Sequence, residues 1–128
     1  MAAVPASGQS VSSNARNLPN ETWERYQGQL TNASATLITA PVAGAYRIWS
    51  IVVSEVSNVA KTFTLRHVES GGTDDATADL YQQAALAARE TIILEGTPLV
   101  TLKNGDVLKA LASANSAVNV LVNYSAER

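Results

Sequence analysis

His67 is the only histidine in the chain, and no serine, cysteine or second histidine is arranged around it in a nucleophile or metal-site pattern. A structural place on a strand face is expected for it. Asp74, Asp75 and Asp79 follow Gly71 and Gly72 and could offer oxygens to calcium. Calcium takes about six to eight oxygens at defined positions, and D-D-x-x-x-D is not an EF-hand spacing, so the expectation is a solvated loop. Glu90, Glu95 and Asp106 are carboxylates that could do acid and base work, but they fall beside turns or strand ends instead of in one cleft. No G-x-S-x-G, P-loop, dinucleotide-binding or H-E-x-x-H pattern occurs. NET at Asn20 and NAS at Asn32 match the glycosylation acceptor triplet, which arises often by chance. The residues therefore point to no catalysis, no cofactor and no metal, which leaves binding or building.

The totals agree with that direction. A chain of 128 residues suits one domain and can bury roughly two thirds of the surface its unfolded form exposes. Cysteine is absent, which excludes a disulfide framework, a thiolate zinc site and a cysteine nucleophile. Hydrophobic residues make up 46% and charged residues 16%, so the surface must be built largely from Ser, Thr, Asn, Gln and Ala. Such a surface suits packing against protein. The net charge of −2, with nine basic residues scattered along the chain, gives no basic stripe for a nucleic-acid backbone. The segment MAAVPASGQSVSSNARN lacks the continuous apolar core of a secretory signal, and no run approaches the roughly 18 apolar residues of a membrane helix. Neither nucleic acid nor membrane is an expected partner.

The elements that must carry these residues divide the chain into residues 1–26, an extended N-terminal arm and bridge, and residues 27–128, a β-sandwich domain. The arm holds too few large apolar groups to pack by itself and is expected to lie on another subunit. Its contact candidates are Val4, Pro5, Val11, Arg16 and Leu18, with Trp23 and Tyr26 as aromatic anchors or, equally, as caps of the core. Trp23 and Tyr26 are three apart, a spacing that predicts one helical turn. From Gln27 the pattern changes to period two with β-branched residues. YRIWSIVVS predicts a central strand covered on both sides, with Tyr46, Ile48, Ser50 and Val52 on one face and Arg47, Trp49, Ile51 and Val53 on the other. KTFTLRHVE predicts Phe63, Leu65 and His67 on one face, with Thr62, Thr64, Arg66 and Val68 free for solvent or a partner. Further strands are expected over Leu80–Ala87, Glu90–Glu95, TPLVTL, VLKALAS and VNVLVNYS, the last with Val118, Val120, Val122 and Tyr124 on one face. Asn104 and Gly105 suit a tight hairpin. About eight short strands spaced roughly every 8 to 12 residues predict an all-β, antiparallel, jelly-roll-like sandwich.

The order of these pieces resembles the small β-sandwich virion proteins of tailed bacteriophages, of the capsid decoration or cement type. The matching residues are Thr36, Leu37, Thr39, Ala40, Pro41, Ala43 and Gly44, then Arg47, Ile48 and Ser50 to Val53, then Gly105, Asp106, Leu108, Ala112 and Ser113. The likeness runs from about Leu30 to Ala126. It implies a noncatalytic structural protein of the virion, assembled in the host cytoplasm. It further implies a homo-oligomer, commonly a trimer, with the major capsid protein or other virion proteins as partners. The alternatives are a head–tail or tail component, or a carbohydrate- or receptor-binding module that would use GGTDDATAD as its loop.

Overall fold

A computed structural model describes residues 21–127. Val4, Pro5, Val11, Arg16 and Leu18 lie outside the described residues. The elements are β1 (Glu21–Gln29), β2 (Ala35–Thr39), β3 (Ala45–Glu55), β4 (Lys61–Val68), a 3-10 turn (Ala76–Ala78), β5 (Asp79–Leu86), β6 (Thr91–Lys103), β7 (Val107–Ala112) and β8 (Val118–Glu127). They form two antiparallel four-stranded sheets, ordered β1-β8-β3-β6 and β2-β7-β4-β5. Every connection except β4–β5 crosses from one sheet to the other, which is the winding of a jelly roll. The expected all-β antiparallel sandwich is the observed architecture.

The core lies between the sheets because each strand presents alternate apolar residues to the gap. From the first sheet come Ile48, Ile51 and Val53 of β3, Leu102 of β6, and Val118, Val120 and Val122 of β8, all essentially unexposed. The second sheet contributes Phe63 and Leu65 of β4, Leu86 of β5, and Leu108, Ala110 and Ala112 of β7. Ala112 stands beside Phe63 in the β4–β7 pairing and Ala110 beside Leu65, so small side chains leave room for large ones. Asn104 and Gly105 take φ of 53° and 88° and make a tight turn as their types predicted, but not the expected hairpin: β6 and β7 belong to different sheets, so the turn carries the chain from one sheet to the other.

Several expectations about individual elements are corrected. The segment ETWERYQ is not a helical turn but part of β1, which pairs along its whole length with β8, from Glu21 opposite Glu127 to Gln29 opposite Asn119. Nine ladder pairings outweigh a single i,i+3 aromatic contact. Within β3, strict alternation fails at Trp49, which has no partner in the register on either neighbour: Ile48 stands opposite Tyr124 and Ser50 opposite Asn123. This β-bulge shifts the phase, so Ile48, Ile51 and Val53 share the core face while Trp49, Ser50 and Val52 face outward. The strand is therefore buried on one side and half-exposed on the other. Glu90–Glu95 and TPLVTL are not two strands but the halves of β6, joined by residues 96–99, which bow out opposite Trp49. A β-carbon at Gly96 would collide with the Leu99 backbone, so only glycine fits this bend.

Candidate functional site

The outer face of the first sheet gathers features that no single strand reveals. Ladder pairing lays four rows across β1, β8, β3 and β6: Gln29, Asn119, Ser54 and Thr91; Gln27, Leu121, Val52 and Ile93; Arg25, Asn123, Ser50 and Glu95; and Trp23, Ser125 and Arg47. The second row makes an apolar strip in which Ile93 is 60% exposed and Val52 and Leu121 are half-buried. Around it stand amides and hydroxyls tied in pairs: Gln29 Nε2 donates to Asn119 Oδ1 at 2.9 Å, Asn123 Nδ2 to Ser50 Oγ at 2.9 Å, and Ser54 Oγ lies 3.1 Å from Thr91 Oγ1. A shallow groove runs between Gln27, Gln29, Val52, Ser54, Asn119 and Leu121.

At the end of this face the bulge turns the Trp49 indole over β8, where Nε1 donates to Ser125 Oγ at 2.9 Å. Ser125 is fully buried beneath it. Trp23 packs against Trp49 with ring centroids 5.7 Å apart and remains 60% exposed. Of the two expected aromatic anchors, Trp23 thus lies on the outer face, whereas Tyr26 points to the other side of β1 and packs against the core. Trp49 meets Trp23 across β8, a neighbourhood created by the strand order β1-β8-β3 that residue types alone do not announce.

The groups with chemical potential are held apart and engaged with partners. His67 Nε2 lies 3.0 Å from Asp106 Oδ2, tying β4 to the β6–β7 turn. Asp106 also accepts from the backbone N–H groups of Ser70 at 3.1 Å and Lys103 at 3.1 Å. Burial pushes the Asp106 carboxyl up, but the hydrogen bonds from His67 and from those two amides outweigh it and hold the group below its ordinary range. Its contribution to stability is accordingly complete above the unfolded value of about 4 and fades as pH falls through the lower folded value. Asp106→Asn is expected to reduce stability at pH 7 and to flatten the loss of stability on acidification below about pH 4, as read from denaturant midpoints across a pH series.

Glu90 and Glu95 do not join Asp106. Glu90 lies at the opposite end of the sandwich, where its Oε1 accepts from Ala87 N–H at 2.7 Å, and Glu95 is exposed on the outer face. Near Glu90, the buried Glu55 accepts from Ser57 N–H at 2.9 Å, Ser57 Oγ at 2.6 Å and Arg89 N–H at 3.1 Å, knotting two loops together.

The acidic loop is more than solvated. Asp74 accepts from Arg66 Nη1 at 3.0 Å, Lys109 Nζ at 3.0 Å and Ser34 Oγ at 3.1 Å, and Asp79 accepts from Arg66 Nε at 2.7 Å. Asp75 caps the 3-10 turn through Thr77 N–H at 2.9 Å. The hydrogen bond from Lys109 is the largest influence holding the Asp74 carboxyl below its usual range, with Arg66 and Ser34 adding to it against burial. Two of the three carboxylates are thus spent pinning the loop to the second sheet. No group of three or more potential ligands suited to a metal occurs among the described residues.

No protein-family model and no curated protein matches the chain. Among solved structures, a chain from Bacillus endospore appendages, described as a novel family of disulfide-linked pili, superposes with a TM-score of 0.51 at 11% identity, over 93% of this chain and 97% of that one. A chain of the cyanophage Pam1 capsid asymmetric unit gives 0.43 at 17% identity, over 93% and 95%. A chain of the infectious bursal disease virus Gx strain gives 0.38 at 12% identity, over 87% of this chain and 36% of that one. At 11% identity the appendage likeness is one of fold alone, over nearly the whole of both chains.

Proposed function

We propose that this chain is a noncatalytic structural protein of a tailed-phage particle, which decorates or cements the capsid by laying the outer face of its first sheet on neighbouring shell subunits. The observation that carries this reading is the face itself: an apolar strip and an exposed indole, flanked by paired amides and hydroxyls, with Arg25, Arg47 and Glu95 confined to the rows at one end. Interface cores are depleted in charge and enriched in aromatic residues, and this surface has that composition. The resemblance of residues Thr36 to Ser113 to phage decoration proteins supplies the shell as partner. Bridging adjacent shell subunits stabilises the assembled state, because the protein binds that state and not its separated parts. A carbohydrate-binding reading draws less support, since Asp74 and Asp79 are already occupied by Arg66 and Lys109.

Negative-stain images of expanded shells from a phage carrying this chain test the proposal. Added protein is expected to produce regular density over the shell surface. Bare shells, or density only at a head–tail vertex, would overturn the decoration reading. Removing residues 1–20 is expected to weaken co-sedimentation with the shells; full-strength binding by the shortened chain would remove the arm from the attachment.

A further inference from the structure

The edge of the first sheet, where the rows of the outer face end on β6, carries a second docking feature. β6 is the last strand of that sheet and pairs only with β3, so among the described residues its other edge hydrogen-bonds to no strand. The free stretch Thr91–Glu95 is straight and regular, with Thr91, Ile93 and Glu95 outward and exposed and Ile92 and Leu94 half-buried on the core side. The bend at residues 96–99 ends it on one side and the turn at Arg89, with φ of 62°, on the other. An apolar edge of this kind, free of lysine and proline, is a template for another strand.

We infer that this edge pairs with the same edge of a second copy, antiparallel about a twofold axis through Ile93. The sequence TIILE is self-complementary in that register alone. Ile93 meets Ile93 of the second copy, Ile92 meets its Leu94, and Thr91 meets its Glu95, whose carboxylate can accept from the threonine hydroxyl. Apolar residues oppose apolar ones, and no like charges face each other. Moving the axis to Ile92 sets Glu90 against Leu94, and moving it to Leu94 sets Ile93 against Glu95. Directly opposed residues on antiparallel strands share a face, so the two first sheets become one eight-stranded sheet and their strips join as Leu121, Val52, Ile93, Ile93, Val52 and Leu121. A contact that is the same patch on both subunits is the mark of twofold assembly. This pairing stands independently of the shell reading.

The chain has no cysteine, so single cysteine substitutions report the contact cleanly. Analytical ultracentrifugation of the full chain is expected to give twice the 13.5 kDa subunit mass. Ile93→Lys, which sets two ammonium groups face to face from an exposed position, is expected to give the single mass with unchanged circular dichroism. Under mild oxidation Ile93→Cys is expected to cross-link to itself, whereas Thr101→Cys, on the same strand beyond the bend, is not. A monomeric or threefold parent, a dimer that survives Ile93→Lys, or equal cross-linking at both positions would each overturn the pairing.

Discussion

Phe63→Ala is expected to lower the free energy of unfolding by about 3–5 kcal/mol, the cost of truncating a fully buried aromatic ring. Phe63 is 1% exposed and sits between the two sheets, beside Ala112 of β7 and Ala84 of β5. Those neighbours are already alanines, so they have no longer side chain with which to refill the space. The loss is therefore expected toward the upper end of the range. Denaturant unfolding reads it as a lower midpoint with an unchanged slope, because the surface exposed on unfolding barely changes. A midpoint that moves by less than the equivalent of about 1 kcal/mol would place Phe63 at the margin of the core instead of its centre.

Paired substitution of Trp23→Ala and Leu121→Glu is expected to weaken association with shells at least about 100-fold while leaving thermal stability close to the parent. The first change removes an exposed indole, a side-chain type whose truncation, where a partner buries it, costs about 2 kcal/mol or more. The second places an unpaired carboxylate in a strip that the bound state would desolvate. Both positions face outward from the sandwich, which is why folding tolerates changes that binding does not. Gln82→Ala, on exposed β5 of the opposite sheet, is the matched control and should bind as the parent does. Co-sedimentation at increasing protein concentration separates the three. Equal weakening by Gln82→Ala would move the contact off the outer face of the first sheet.

How much of this could be read beforehand differs from strand to strand. The alternation Val118, Val120, Val122 in β8 survives folding because each residue keeps a ladder partner, so period two maps directly onto burial. In β4 Phe63 and Leu65 are buried as expected, but so are Thr64, whose Oγ1 accepts from Gln83 N–H at 3.0 Å, and Val68, both expected on the open face, while His67 is only half-buried. In β3 the same logic misassigns half the strand, since the extra residue at Trp49 resets the phase and nothing in YRIWSIVVS marks it. The bulged residue is held by a tertiary contact, the Trp49 hydrogen bond to Ser125, 76 residues away. β1 was obscured differently: Trp23 and Tyr26 have a helical spacing, but in a strand an odd separation sends them to opposite faces. The links from Arg66 and Lys109 to Asp74 also join residues brought together only by the β4–β7 pairing, so the aspartates read in sequence as a solvated loop. The low-charge surface was legible from composition. The alignment of Leu121, Val52 and Ile93 into one outward strip was not.

Hydrogen–deuterium exchange of the full chain, free and bound to shells, tests the central claim most directly. Peptides from β1, the middle of β3 and β8 form the outer face, and their edge and surface amides are expected to exchange more slowly in the bound state. The loop over residues 71–78 on the second sheet is expected to exchange at the same rate in both. Protection confined to that loop, or no change along β1 and β8 at saturating shell concentration, would contradict attachment through the first sheet.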